Sequence, residues 1–534
     1  MLSKYTKNNS WFSIGDIGAA PIIIFDNLSI LLFVSSILQF GFKFPAQIIY
    51  YDIVPGTVMG VICGNILCLW LRTRLVKEYG ASVMAMPHGL DAPSALGVAS
   101  CILGPAFLVL KSQGLDANTA AIQAWHIGAC CLLMTGVIKL CASSFVNLIH
   151  KYLPAPALFG AIGGLAIAII GLFPLLSLFK VSIVGFPVLA ILLICMYAKI
   201  RLPYNIPAIP VAIISGTILY YLFVPLGLTA KINLDHTSLA LSIPHLNLNA
   251  FHSFSMAFNY LPVVIPFSLL VICGTISVVE GANSIGQEQY KTKQLMILDS
   301  IATIISAMFG GVSQTTPYAG FIAYKKMEAR AGFMVLNILF VGFGAFFGVF
   351  AILVNLVPEA AISPILLFVA FEITMQGFHR SDFKYTVAIL FSFFPSIARL
   401  LIIKIPDGAL VSQNQLQTFI LGHLNPQITD QFVIALLGNG FFISAALWAS
   451  WLCYAIDHKR RESFICAVLL SVFSLFGVVH SVYLDGHLYL PTYLPIALQK
   501  IVAGISAGYL ITGIITWILL SPRFRERRAI KPEH

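Results

Sequence analysis

Charge is so sparse in this chain of 534 residues that long segments contain none: 31 Lys+Arg and 21 Asp+Glu amount to 10%, against 59% hydrophobic residues and a mean hydropathy of +0.91. A run of about 20 apolar residues is what a bilayer core about 30 Å thick requires of a helix. The chain is therefore read as an all-α polytopic membrane protein. About sixteen such runs use about 320 residues, which leaves little for a sizeable soluble catalytic or regulatory domain.

Apolar runs lie near 19–40, 53–71, 88–110, 120–138, 155–172, 181–198, 206–226, 261–283, 294–310, 316–328, 331–355, 360–375, 384–403, 432–455, 463–482 and 494–520. With a cytoplasmic amino terminus and single crossings, 24 of the 31 basic residues fall on the cytoplasmic side, Arg72, Lys139 and Arg380 among them. That bias sets orientation and an even span count, 14 to 16, with both termini cytoplasmic. It also explains the net charge of +10 without a nucleic-acid partner. The ten cysteines lie in apolar runs with no Cys-x-x-Cys spacing, so neither disulfides, a metal site nor a cofactor is expected. The first 20 residues hold no apolar stretch that reads as a cleaved signal. No phosphate-binding loop or nucleophile triad is present, and an enzyme is not expected.

Two segments interrupt the apolar pattern. Residues 80–98, GASVMAMPHGLDAPSALGV, put Pro87, His88, Gly89, Asp91 and Pro93 at membrane depth; residues 310–324, GGVSQTTPYAGFIAY, do the same with Gln314, Thr315, Thr316 and Pro317. Each reads as an irregular stretch that ends in a helix start. Asp91 would cap a helix beginning at Ala92 or Pro93, and Thr316 one with Pro317 in its first position. Irregular backbone at this depth is tolerated only when it is buried in protein or lines a polar cavity. The breaks fall in the third and tenth runs. An offset of seven reverses the second copy, which is the arithmetic of a 7+7 inverted repeat with substrate held where the broken helices meet.

An ionisable residue inside a span faces the protein interior by default. Glu280 lies in the eighth run, with Asn283, Ser284 and Gln287 continuing a polar stripe along the same face; a place at the cytoplasmic end of the span is the alternative. Asp26 sits in the first run, as a structural hydrogen-bond partner or a proton relay. Asp299 and Glu372 read as interhelical partners or interface residues. His88 reads as a bonded packing residue, and Arg399 as a snorkelling or paired cation.

In these residues the sequence resembles the nucleobase/ascorbate (xanthine/uracil/vitamin C) permease superfamily, and more closely an uncharacterised bacterial xanthine/uracil permease-like branch. The matching elements are GDI (15–17), DNL (26–28), PGT and GN (55–57, 64–65), MPHGLDAPS (86–94), TISVVEGANSIGQEQYKT (275–292), FGGVSQTTPYAGF (309–321) and ARAG (329–332). The resemblance implies a core of helices one to four and eight to eleven, a gate of the remainder, and substrate bound between short strands before helices three and ten. It implies a first repeat over 13–226, an extracytoplasmic connector over 227–260, a second repeat over 261–455, and extra helices with a basic tail over 456–534. By position Glu280 is the substrate-binding acid. The second acid usual after the helix-ten break is replaced by Ala319, next to Tyr318, and a His found in some members is Ser284 here.

The expected function is thus proton- or sodium-coupled symport of a nucleobase-like molecule in the bacterial inner membrane. Glu280, Asp91, Ala92, Gln314, Thr315, Thr316, Pro317, Tyr318 and Ser284 would form the substrate site, with Glu280, Asp91 and Asp26 as coupling candidates. The alternative is an anion transporter of the sulfate-permease type, which reads negative substrates through the same helix ends. The oligomeric state is left open, a homodimer among the options.

Overall fold

The computed structural model describes residues 11–79, 83–145, 155–198, 200, 208–230, 241–284, 288–318, 321–379, 381–404, 426–483, 486 and 488–521. The chain divides into two compact units, one of Met1–His150 with Phe173–Phe368 and one of Lys151–Leu172 with Val369–His534.

The first unit holds α1 (Ile14–Gly41), α2 (Ala46–Tyr79), a short strand β1 (His88–Leu90), α3 (Ala92–Ser112) and α4 (Ala117–Ala142). Helix α5 (Ala155–Leu165) belongs to the second unit; α6 (Ser182–Tyr197) and α7 (Ala208–Phe223) return to the first. The first unit continues with α8 (Leu261–Ser284), α9 (Thr292–Met308), strand β2 (Thr315–Pro317), α10 (Phe321–Lys326) and α11 (Gly332–Phe346). After α12 (Glu359–His379), which the division crosses, the second unit has α13 (Phe383–Ile402), α14 (Pro426–Gly438), α15 (Phe441–Ile456), α16 (Arg460–Leu475) and α17 (Ile496–Leu519).

Local chemistry sets several of these starts. Ser13 and Asp16 form a reciprocal cap at α1, the Ser13 N–H donating to Asp16 Oδ2 over 2.7 Å. Asp116 accepts from the Asn118 and Thr119 N–H groups at α4, both at 3.1 Å. At α3 the Ser94 N–H donates to Asp91 Oδ2 over 2.9 Å, with Pro93 in the first turn, as the sequence predicts. The second break departs from expectation. Thr316 and Pro317 lie in β2, not at a helix start, and α10 begins only at Phe321. Pro317 sits opposite His88 at the end of the strand pair, where a missing N–H is tolerated.

The breaks meet directly: β1 and β2 pair antiparallel in the register His88↔Pro317, Gly89↔Thr316 and Leu90↔Thr315. Flanking bonds extend the pairing, from the Asp91 N–H to the Gln314 carbonyl (3.1 Å) and from the Tyr318 N–H to the Pro87 carbonyl (2.8 Å). Packing around them repeats with an offset of seven helices. Helix α4 packs on α8 and α9, and α11 packs on α1 and α2, while α2 and α9 pack on each other. This is an all-α membrane-transporter fold, a 7+7 inverted repeat with core and gate helices.

Among the described residues six helices are long and apolar enough to cross a bilayer, or up to eight if each of two bent pairs counts as one span. Helices α6 and α7 have 16 residues each, about 24 Å at 1.5 Å per residue and shorter than the hydrocarbon core. The run expected over 331–355 is two helices, α11 and Val349–Leu356, parted near Gly348 at φ +70°. Helices α14 and α15 are bent by 73° at a break where Gly440 takes φ +64°. The two carboxyl-terminal helices α16 and α17 pack on each other.

Candidate functional site

The strand crossing gathers most of the residues expected to bind substrate. Asp91, Ala92, Gln314, Thr315, Thr316, Pro317 and Tyr318 stand on the two paired segments of one unit. Thr316, half-buried, faces the Thr275 hydroxyl of α8 at 3.4 Å between oxygens. Gln314 Oε1, Thr315 Oγ1 and Ser313 Oγ are buried without a hydrogen-bond partner, an arrangement that leaves polar groups free at the break. Asp26 is half-buried on α1 beside Asn27. Glu280 and Ser284 lie on the last turns of α8, and their side chains, like Gln287 and Ala319, lie outside the described residues.

The α3 start already carries a carboxylate. Pro93 has no N–H, and the Ser94 N–H is taken by Asp91, so the Ala92 N–H is what remains of the first three orphan donors. A ligand here meets a mixture of donors and acceptors instead of a bare helix terminus.

Two buried polar networks hold the crossing from behind. One consists of amides. Asn27 Oδ1 accepts from the Leu90 N–H (2.8 Å), and Asn27 Nδ2 donates to Asn337 Oδ1 (3.3 Å). Asn337 Nδ2 donates to Asn65 Oδ1 (3.5 Å), and Asn65 Nδ2 to the His88 carbonyl (2.9 Å). The other network is ionic. Asp299 on α9 has His88 Nε2 at 3.2 Å from Oδ1 and Lys139 Nζ at 2.7 Å from Oδ2, all three side chains fully buried. Lys139 Nζ also lies 3.1 Å from Thr303 Oγ1 and 3.1 Å from the Thr315 carbonyl. A carboxylate only accepts, so Nε2 carries the His88 proton in this contact, and Nδ1 has no partner. The ring packs closely against Gly64: a Cβ there would stand 2.2 Å from His88 Nδ1 and Cε1.

Sequence reasoning missed these networks. Lys139 was assigned to the cytoplasmic surface because it closes the fourth run, yet it is fully buried in the last turn of α4; Arg72, assigned likewise, is buried with its Nε on the Val83 carbonyl at 3.1 Å. The expectation that Asp299 bonds between helices and that His88 is a bonded packing residue agrees with the geometry. The available signal was complementarity: a lysine in VIKLC and an aspartate in ILDSI, each embedded in apolar sequence, need partners.

No family model matches the chain, and no curated protein does. Solved structures do. The transmembrane domain of a cyanobacterium bicarbonate transporter, BicA, matches with TM-score 0.53 at 13% identity, over 73% of this chain and 97% of that one. The overall structure of SLC26A9 matches with TM-score 0.49 at 12% identity, over 72% of this chain and 62% of that one. Murine Slc26a9, an anion transporter in the inward-facing state, gives 0.43 at 14% identity, over 72% and 64%. The chain thus spans nearly all of the first and less than two thirds of the other two.

The match to BicA overturns the nucleobase reading. That structure is named as a bicarbonate transporter, not a xanthine, uracil or ascorbate permease, so the expected membership of that superfamily and the expected nucleobase symport are both withdrawn. The physical reason is that the motifs behind that resemblance encode backbone: breaks, caps and close packing at a strand crossing, which a shared architecture requires whatever it carries.

Proposed function

We propose that the chain is a secondary transporter of small anions, of the sulfate-permease type, working by alternating access. The observation that carries this reading is the pairing of β1 with β2 in a fold whose match covers 97% of the transmembrane domain of a bicarbonate transporter. Site chemistry narrows the class. Asp91 caps α3, and unpartnered acceptors at Gln314 and Thr315 line the break. A singly charged oxyanion that keeps an O–H, such as hydrogencarbonate, can donate to these acceptors and accept from the Ala92 N–H and the Thr316 hydroxyl. A bare dianion meets Asp91 as a like charge.

Within this reading Asp91, Ala92, Gln314, Thr315, Thr316 and Tyr318 line the site, while Glu280, Asp91 and Asp26 remain the coupling candidates for a proton or sodium ion. The protein is a transporter and not an enzyme, placed in the cell membrane with both termini cytoplasmic, and its repeats follow 13–226 and 261–455.

The test is uptake into proteoliposomes of radiolabelled hydrogencarbonate, sulfate, uracil and xanthine. Saturable hydrogencarbonate uptake above empty liposomes, with weaker sulfate uptake and none of the nucleobases, is expected. Uptake of uracil or xanthine without any anion uptake would overturn the proposal.

A further inference from the structure

Lys139 is fully buried with its ammonium among protein oxygens. Its ammonium has three N–H donors, and three protein oxygens of three kinds surround it: a carboxylate from Asp299, a hydroxyl from Thr303 and a main-chain carbonyl from Thr315, at 2.7, 3.1 and 3.1 Å. The Thr303 hydroxyl donates to the Asp299 carbonyl over 2.9 Å, which leaves its lone pairs for the ammonium. All-oxygen cages of carboxylate, hydroxyl and carbonyl are what small hard cations bind. Lys139 and Asp299 are both fully buried, at a desolvation cost that only good geometry offsets.

We propose that Lys139 is a tethered cation standing where a free monovalent metal ion would otherwise bind, between α4, α9 and β2. Being covalently attached, it keeps the charge at this place constant through a transport cycle. The carboxylate it neutralises ties both breaks together, β1 through His88 Nε2 and β2 through the Thr315 carbonyl on Lys139. Ion coupling, where it occurs, therefore runs through other groups. Lys139 acts as a positioning residue: it orients Thr315 from behind and is not assigned a contact with substrate. The inference rests on the geometry of one unit and not on the identity of the transported anion.

The experiment removes the tether and offers the cage a free ion. Purified full-length protein and the variants Lys139→Ala and Lys139→Ala/Asp299→Asn are melted in sodium, potassium and choline chloride at equal ionic strength. Wild type is expected to melt at one temperature in all three salts. Lys139→Ala should melt lower in choline and gain about 2 °C or more in sodium or potassium, a rescue that a purely packing role does not produce. The double variant should lose the rescue, because the carboxylate is gone. Should Lys139→Ala aggregate in choline, recovery of folded protein in sodium or potassium supports the proposal equally. Identical behaviour of Lys139→Ala in all three salts, melted or aggregated, overturns it, as does a wild-type sodium shift as large as the variant's.

Discussion

Behind β1 the chain places three asparagines, and behind β2 a carboxylate and an ammonium that the His88 imidazole reaches from β1, although the two strands occupy equivalent places in the repeat. Amide–amide bonds at 3.3 and 3.5 Å link Asn27, Asn337 and Asn65, each weak and none carrying net charge. Behind β2, Asp299 is a single hub on which both breaks depend. His88 joins the two, its carbonyl on Asn65 and its ring on Asp299. The difference teaches that one architecture can brace a backbone crossing either with many small neutral bonds or with one buried charge set. The first should fail gradually, the second all at once.

The sharpest break in that contrast is Asp299→Asn, which strands the Lys139 ammonium in the interior. A loss of about 3–5 kcal/mol is expected, read as a large drop in melting temperature in detergent, while Lys139→Met/Asp299→Leu should recover most of it. A double variant as damaged as the single one would show that the pair does more than neutralise itself. Next comes Gly64→Ala, whose new Cβ would collide with the His88 ring. It should cost about 1–3 kcal/mol by overpacking, and His88→Ala in the same background should relieve part of that cost. Asn337→Leu removes only the two long amide bonds and is expected to cost about 0.5–1.5 kcal/mol; a loss matching that of Asp299→Asn would erase the proposed asymmetry.

The smallest effect lies outside the crossing. At the turn between α15 and α16 burial pushes the Asp457 carboxyl up, but hydrogen bonds from Lys384 (2.8 Å) and Tyr385 outweigh it and hold the group below the ordinary carboxylate range. A depressed carboxyl stabilises the fold above its unfolded pKa of about 3.9, and that contribution is lost as pH falls through the lower folded value. Asp457→Asn should therefore lower stability slightly at pH 7, by less than about 1 kcal/mol, and the gap to wild type should close in acid. A gap that widens on acidification contradicts the assignment.

Much of this fold is legible in the sequence because its decisive signals are local. Pro87, Pro93 and Pro317 with their neighbouring glycines mark the breaks, and the separation of the breaks by seven runs gives the inversion. The α3 start was readable from Asp91 and Pro93. The start of α10 was not, because Pro317 serves a strand end as well as a helix start. Lys139 was misplaced for a different reason. Charge counting treats a lysine closing an apolar run as interfacial, and only the partner on α9, 160 residues away by position 299, shows that it is buried. The asparagines were visible within motifs but carried no sign of a shared network. Substrate was the least legible feature, since the break motifs specify backbone shape and leave recognition to a few polar atoms.

The most direct test of the account is a density map of the full-length protein in lipid with saturating hydrogencarbonate. The account predicts an oxyanion seated at the strand crossing, between the Ala92 N–H and Thr316, absent from a map collected without it. An empty crossing under saturating anion, with density appearing there when uracil or xanthine is supplied instead, would contradict it.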